Sequence, residues 1–240
     1  MILGIETSGE MTSLALVDGE HLVREDAFPS QMALCQRLVP RIESLLHPER
    51  ESDPGAPPGL SAIAVSLGPG SFTSLRIAVA TVKALAHAWS VDVVGVPTAH
   101  AIADGFTDVP EGAAVCAVTV ARKDHVYLAI AERAPQKRWR DAEPCKVYTI
   151  DDLTEYLATR DDVILLCGEA APEHAASLQE RLGSRLRVAP SDQLRPTARN
   201  VALVGAAELT HRGPDDLFSL TPIYAQPSQA EAARGIDLGL

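Results

Sequence analysis

At 240 residues and 25.5 kDa the chain is long enough to bury a sizeable core, as one large domain or two smaller ones. Hydrophobic residues make up 46% and charged residues 22%, which is not the composition of a disordered chain, and a net charge of −11 opposes long-range attraction to nucleic-acid phosphates unless a local basic patch or a basic partner supplies it. No apolar run approaches the roughly 20 residues of a membrane span, the first residues lack a secretory leader's basic start and cleavage site, and the scattered Cys35, Cys116, Cys145 and Cys167 fit a reduced cytoplasmic protein better than a disulfide scaffold or zinc site.

In chain order, residues 2–5 read as a short strand, 13–17 as a second, and Gly19 permits a tight reversal into a third over 21–26. Over 31–47, Leu34, Leu38, Ile42 and Leu45 recur at helical spacing, with Cys35, Val39 and Leu46 widening the stripe. Pro40 lies inside this pattern and is expected to kink or divide the helix, because it lacks a backbone donor and crowds the preceding turn. Residues 48–59, PERESDPGAPPG, read as a solvated loop. Residues 62–67 form a buried-strand candidate, followed by SLGPGSFTSLR and a helix to about Trp89. Another strand covers 91–96, and Thr98 is placed to cap a short helix ending near Gly105. Strand, crossover helix, strand implies parallel pairing in an α/β lobe.

Charged, proline-containing sequence over 106–112 marks a lobe boundary. Strands are expected at 114–120 and 126–131, joined through the charged turn at 122–124, with a shorter one at 147–150. Asp151 or Asp152 is placed to cap the next helix, 163–167 returns to strand, and Pro172 begins a helix through Leu182. A short strand at 187–188 precedes a final alanine-rich helix over 197–211. The expected organisation is a first α/β lobe at 1–106, a second at 107–218, and an extended segment and tail at 219–240. No repeat is plain in the residue letters.

SLGPGSFTSLR is the most informative stretch. Gly68 and Gly70 allow close backbone approach, Pro69 stiffens the turn, and Ser71 can cap the helix, leaving its first amides open to an anion. The pattern is not GxxxxGK[ST] and the loop has no lysine, so the residues alone favour a helix start over a catalytic phosphate site. The helix carries Phe72, Leu75, Val79, Val82 and Ala86 on a core face. Thr73, Ala80, Ala84 and Ala88, with Arg76, Lys83 and His87 beside them, form a second face of small residues able to meet a helix of the same chain or of a partner.

GIETS at the amino terminus, SLGPGSFTSLRIAVATVKALA, VVGVPT, and the more distant VARKDHVY and TPIY resemble, in that order, landmarks of the bacterial TsaB family. The resemblance covers roughly the first 130 residues well and the remainder thinly, and GIETS also looks like the start of TsaD, the family's catalytic relative. It implies a two-lobed α/β fold of the actin-like, sugar-kinase-like (ribonuclease H-like) kind. It also implies work with TsaD and the ATPase TsaE, where TsaD transfers a threonylcarbamoyl group to N6 of adenosine 37 of tRNA and TsaB is an essential scaffold or activator. Partner contact would then fall on the first lobe's helices, at Leu34, Leu38, Arg76, Ala80, Lys83, Ala84 and His87, with TsaD or in a homodimer. ATP or ADP with magnesium would belong to the complex, and tRNA would be reached mainly through it. This sequence departs from the family pattern at Ser74, in LCQRLVP without a leading histidine, at Val120 and His125, and at Gln226.

Glu6, Thr7 and Ser8 leave the first strand where the wider fold often handles phosphate or a metal-bound water, so Glu6, Thr7, Ser8, Gly68, Gly70 and Ser71 are the candidate cofactor residues. The plainer reading is that they organise a turn. No two histidines lie four residues apart, so neither HExxH nor HxxxH is present, and no metal site, catalytic residue or peptidase mechanism is assigned. Cys167 reads as a strand-end thiol, and Ser71 lies outside GxSxG. The alternative to an activator is an autonomous ATPase or small-molecule phosphotransferase using Glu6 and the Gly68 to Ser71 loop.

Overall fold

The computed structural model describes residues 1–30, 33–47, 56–106, 109–110, 112–122, 124–134 and 138–225, the side chain of Arg122 excepted. Most of the proline-rich loop, Lys123 and Gln226 lie outside the described residues. The chain divides into two compact units, one of Met1–Gly105 with Pro196–Pro222, the other of Phe106–Arg195 with the residues after Pro222.

In the first unit β1 (Ile2–Glu6), β2 (Met11–Asp18) and β3 (His21–Pro29) form an antiparallel meander, and β4 (Ala62–Gly68) and β5 (Asp92–Pro97) extend it in parallel, in the order β3-β2-β1-β4-β5. Alternation along each strand divides its side chains between two layers. Leu3, Ile5, Leu14 and Leu16 face a core closed by α1 (Leu34–Leu46) and α2 (Phe72–Trp89), through Leu38, Ile42, Ala78 and Val82. Ala15 and Val17 face the opposite layer, where they meet Ala198 and Ala202 of α6 (Ala198–Arg212). The short α3 (Thr98–Asp104) packs beside α6, whose Asn200 donates to the Ala101 carbonyl at 3.1 Å.

This last layer corrects the expected organisation. The helix assigned to the second lobe belongs to the first unit. Glycines on both sides permit its approach: a Cβ on Gly4 would overlap the Ala198 carbonyl oxygen, and one on Gly205 would stand 2.6 Å from the Ala64 Cβ.

Pro40 does not divide α1. It is exposed, and the carbonyl it deprives of a donor belongs to Gln36, also exposed, where water can replace the lost bond.

In the second unit β6 (Ala114–Arg122), β7 (His125–Ala134) and β8 (Arg138–Thr149) form a meander, with β9 (Ile164–Cys167) and β10 (Leu186–Val188) in parallel beyond β6, in the order β10-β9-β6-β7-β8. One face packs on α4 (Ile150–Ala158) and α5 (Ala171–Leu182) through Leu128, Leu153, Leu166 and Leu178. Both units therefore repeat one plan, an antiparallel meander, a helix, a strand, a helix and a strand, that no residue pattern announced. The strand expected at 147–150 is the end of a much longer one. It runs along the sheet edge, and Pro144 falls at the register shift between Leu128 and Ile130, where no ladder donor is required. Thr149, rather than Asp151 or Asp152, caps α4 by accepting from the Asp152 N–H at 3.1 Å.

Candidate functional site

β1 and β4 are parallel neighbours, so the turns leaving their carboxyl ends meet, in the position where open α/β sheets commonly take ligands. The six sequence-selected residues Glu6, Thr7, Ser8, Gly68, Gly70 and Ser71 converge at or beside this junction. Glu6, Thr7 and Ser8 are buried. The Thr7 N–H donates to Ser66 Oγ at 3.2 Å, and its hydroxyl donates to the Ser74 carbonyl at 3.3 Å. The Ser8 N–H donates to Glu6 Oε1, and the Ser71 N–H donates to the Ser8 carbonyl at 2.6 Å. Gly68 has φ +102°, open to glycine, and its bond to Pro69 is cis. A Cβ on Gly70 would overlap Ser8.

Three backbone amides of the junction thus already point at protein oxygens. The bonds stitch the exit of β1 to the start of α2, and they oppose use of these amides as a phosphate cradle. Ser71 occupies the position before α2, but its hydroxyl donates to Ser74 Oγ at 3.0 Å and caps no backbone amide. Ser74, where the family pattern has glycine, is accommodated in this way: it is buried, with its hydroxyl and carbonyl both accepting. Thr98 likewise does not cap α3. Pro97 precedes that helix, and the buried Thr98 Oγ1 has no hydrogen-bond partner among the described residues.

The partner-face residues separate into two groups. Leu34 and Leu38 are buried in the first unit's core and present nothing to a partner. Thr73, Arg76, Ala80, Ala84, His87 and Ala88 are exposed along α2, so its small-residue face is not consumed by packing on α1. The Arg76 guanidinium lies over the Phe72 ring, 3.8 Å from its centroid. Lys83 Nζ donates to the Phe218 carbonyl at 2.8 Å.

Sequence reasoning missed the segment following α6. The Asp215 N–H donates to the Val93 carbonyl at 2.9 Å, and the Asp215 carboxylate accepts from the Gly95 N–H at 2.7 Å, covering the free edge of β5. Arg212 binds the same carboxylate through both terminal nitrogens. Burial works to raise the Asp215 pKa, but Arg212 and the Gly95 amide outweigh it and hold the carboxyl below its usual range. The only signal in sequence was an acidic pair after Gly213.

In the second unit a cavity of about 460 Å³ is lined by Val120, His125, Thr149, Asp151 and His174 among others. Among the described residues no three His, Cys, Asp or Glu side chains are grouped to hold a metal ion, and no helix is long and apolar enough to cross a membrane. Burial, rather than neighbouring acids, is the chief cause raising the Cys167 thiol well above its usual value, and burial pushes Cys116 up to about 12. Neither is a poised nucleophile.

A family model described as "TsaD: tRNA N6-adenosine threonylcarbamoyltransferase" matches residues 36–208, more than half of the chain. The chain belongs to this TsaD-related family. Its whole-length likeness is to TsaB: it is 25% identical over 237 residues to the tRNA threonylcarbamoyladenosine biosynthesis protein TsaB of Bacillus subtilis, covering 96% of each chain. A tRNA N6-adenosine threonylcarbamoyltransferase of Anaeromyxobacter dehalogenans is 33% identical over 123 residues, 45% of this chain and 37% of that protein. YeaZ from Pseudomonas aeruginosa superposes with a TM-score of 0.72 at 23% identity, over 93% of this chain and 98% of that one. A chain of the PilM-PilN type IV pilus biogenesis complex superposes at 0.51 with 14% identity, over 90% and 99%. The chain shares its α/β fold, built as two units, with these solved structures.

Proposed function

We propose that this protein is the noncatalytic scaffold and activator of a TsaD-type enzyme in forming threonylcarbamoyladenosine at adenosine 37 of tRNA. The match to TsaB over the whole length of both chains carries the reading. TsaD performs the transfer, and this chain supplies a docking face on α2, where Ala80, Ala84 and His87 are exposed. The same face supports a homodimer when TsaD is absent. TsaE joins through the TsaD-containing complex, tRNA is held mainly by the complex, and the setting is the cytoplasm. No peptidase chemistry is assigned to the chain.

ATP or ADP with magnesium belongs to the assembled complex in this reading. The junction of β1 and β4 fits nucleotide phosphates poorly, since the amides of Thr7, Ser8 and Ser71 donate within the protein. That observation weighs against the competing reading, an autonomous ATPase or phosphotransferase using Glu6.

Reconstitution of tRNA modification from purified TsaC, TsaD, TsaE and this protein tests the proposal. Omitting this protein is expected to abolish or strongly reduce modified adenosine, and undiminished product would overturn the activator role. Nucleotide turnover by the isolated chain, lost in a folded Glu6→Gln variant, would favour the enzyme instead.

A further inference from the structure

We infer that the cavity of the second unit is a binding site for a linear polyamine, an aliphatic chain carrying two or more ammonium groups. This goes beyond the activator role proposed above and does not rest on it. Three elements wall the cavity: the β6–β7 reversal at Asp124 and His125, the start of α4 at Ile150 and Asp151, and the start of α5 at Glu173 and His174. Its volume of about 460 Å³ is that of a small-molecule site. Val120 and His125, two positions where the sequence departs from the family pattern, both line it, so its lining is particular to this chain.

Each wall contributes one carboxylate, from Asp124, Asp151 and Glu173. Among the described residues none of the three is engaged in a hydrogen bond or ion pair, and no lysine or arginine lines the cavity. Unpaired carboxylates around one space repel, and a cation placed among them removes that repulsion. An anion at the helix starts is opposed on two counts. Asp151 and Glu173 already occupy the first turns of α4 and α5, and the Asp152 N–H donates to Thr149 Oγ1 at 3.1 Å.

The spread of the charges selects among cations. Among the described residues no three His, Cys, Asp or Glu side chains are grouped to hold a metal ion, so the carboxylates do not converge on one small ion. Charges divided over three walls fit a cation whose own charges are divided along a chain. The lining also offers it apolar surface: Val120 is 56% exposed, and Val126 and Ile150 join it. Methylene segments cover such surface while ammonium groups stay with the carboxylates, and the His174 imidazole can accept from an ammonium.

Titration calorimetry of the full-length protein with spermidine tests this at about 0.15 M salt, where attraction between exposed charges fades beyond about 8 Å. The wild type is expected to bind, and Asp151→Asn combined with Glu173→Gln to weaken binding about tenfold, as the loss of two ion pairs would. Glu155→Gln combined with Glu180→Gln removes the same charge from α4 and α5 outside the cavity lining, and is expected to leave affinity within about twofold of wild type. Amide chemical shifts of the wild type need no variant: those of His125, Ile150 and His174 are expected to move together as spermidine is added. Absence of wild-type binding, equal weakening by the two pairs of substitutions, or shifts that leave these three amides unmoved would overturn the site. Equal affinity for butylamine, or displacement of spermidine by an equal concentration of magnesium, would overturn the polyamine as its ligand.

Discussion

The backbone N–H of Ser71 donates to the carbonyl oxygen of Ser8 at 2.6 Å, tying the start of α2 to the exit of β1. That bond requires the intervening loop to pass directly over Ser8, and Gly70 is the residue in contact. A methyl group there would overlap the Ser8 carbonyl and stand 2.6 Å from its Cβ. Gly70→Ala is therefore expected to lower stability by roughly 1–3 kcal/mol, the usual cost of forcing an extra carbon into a filled site. Urea unfolding measures it, and an unchanged midpoint would contradict the contact. Because the same bond sets the position of α2, partner affinity is expected to fall with stability.

The assignment of α6 to the first unit makes a prediction about truncation. A chain ending at Arg195 retains the second unit's contiguous segment but lacks the layer that covers Ala15 and Val17. Amide exchange is expected to show the amides of Leu3, Ile5 and Val65 losing protection while those of Val118 and Leu166 keep it. Retained protection at Ile5 would mean that α6 is dispensable. A milder probe is Gly205→Ala, whose Cβ would press on Ala64 and Val94 and lower the melting temperature of the full-length protein.

Much of the fold was legible because most strands of the first unit are short apolar runs, buried on both faces and bounded by turn residues, and its helices carry apolar stripes. The location of α6 was not, since its partner strands lie more than a hundred residues earlier and the pairing shows only in three-dimensional contacts such as Gly4 with Ala198 and Gly205 with Ala64. β8 escaped because an exposed edge strand tolerates charges and a proline that argue against a strand elsewhere. At the junction, residues chosen from two separate motifs lie together. Sequence could not say that the amides of Thr7, Ser8 and Ser71 would satisfy one another's neighbourhood rather than a ligand. Leu34 and Leu38 were misread for a related reason: an apolar stripe does not state whether its own core or a partner covers it.

Asp215 supplies a pH-dependent contribution. Its carboxyl titrates below the ordinary value of about 3.8 in the folded chain, because Arg212 and the Gly95 amide outweigh the opposing effect of burial. A depressed carboxyl binds fewer protons in the folded state than in the unfolded state, so it stabilises above about pH 3.8 and the contribution fades as pH falls through the folded value. Asp215→Asn is expected to cost roughly 1.5–3 kcal/mol at neutral pH, the range for hydrogen bonds to a charged group. The gap between variant and wild type is expected to narrow on acidification below pH 4. Parallel stability curves across that range would show that the carboxylate is not coupled to folding.

The two groups within the sequence-selected partner face are separable by experiment, because burial assigns them opposite roles. Ala84 is exposed on α2, so Ala84→Arg adds a long charged side chain to solvent and should leave unfolding by urea within about 0.5 kcal/mol of wild type. The same side chain prevents close helix approach across the docking face, so TsaD binding and modified adenosine in the reconstituted system should fall together. Leu38 is fully buried against Ile42 and the sheet, so Leu38→Ala should cost roughly 2–5 kcal/mol through the cavity it leaves. Its effect on modification should appear only where the variant is partly unfolded, and should vanish when the amount of folded protein is matched. A Leu38→Ala protein that is folded but cannot bind TsaD would return Leu38 to the interface. An Ala84→Arg protein that still binds TsaD with wild-type affinity would remove α2 from it.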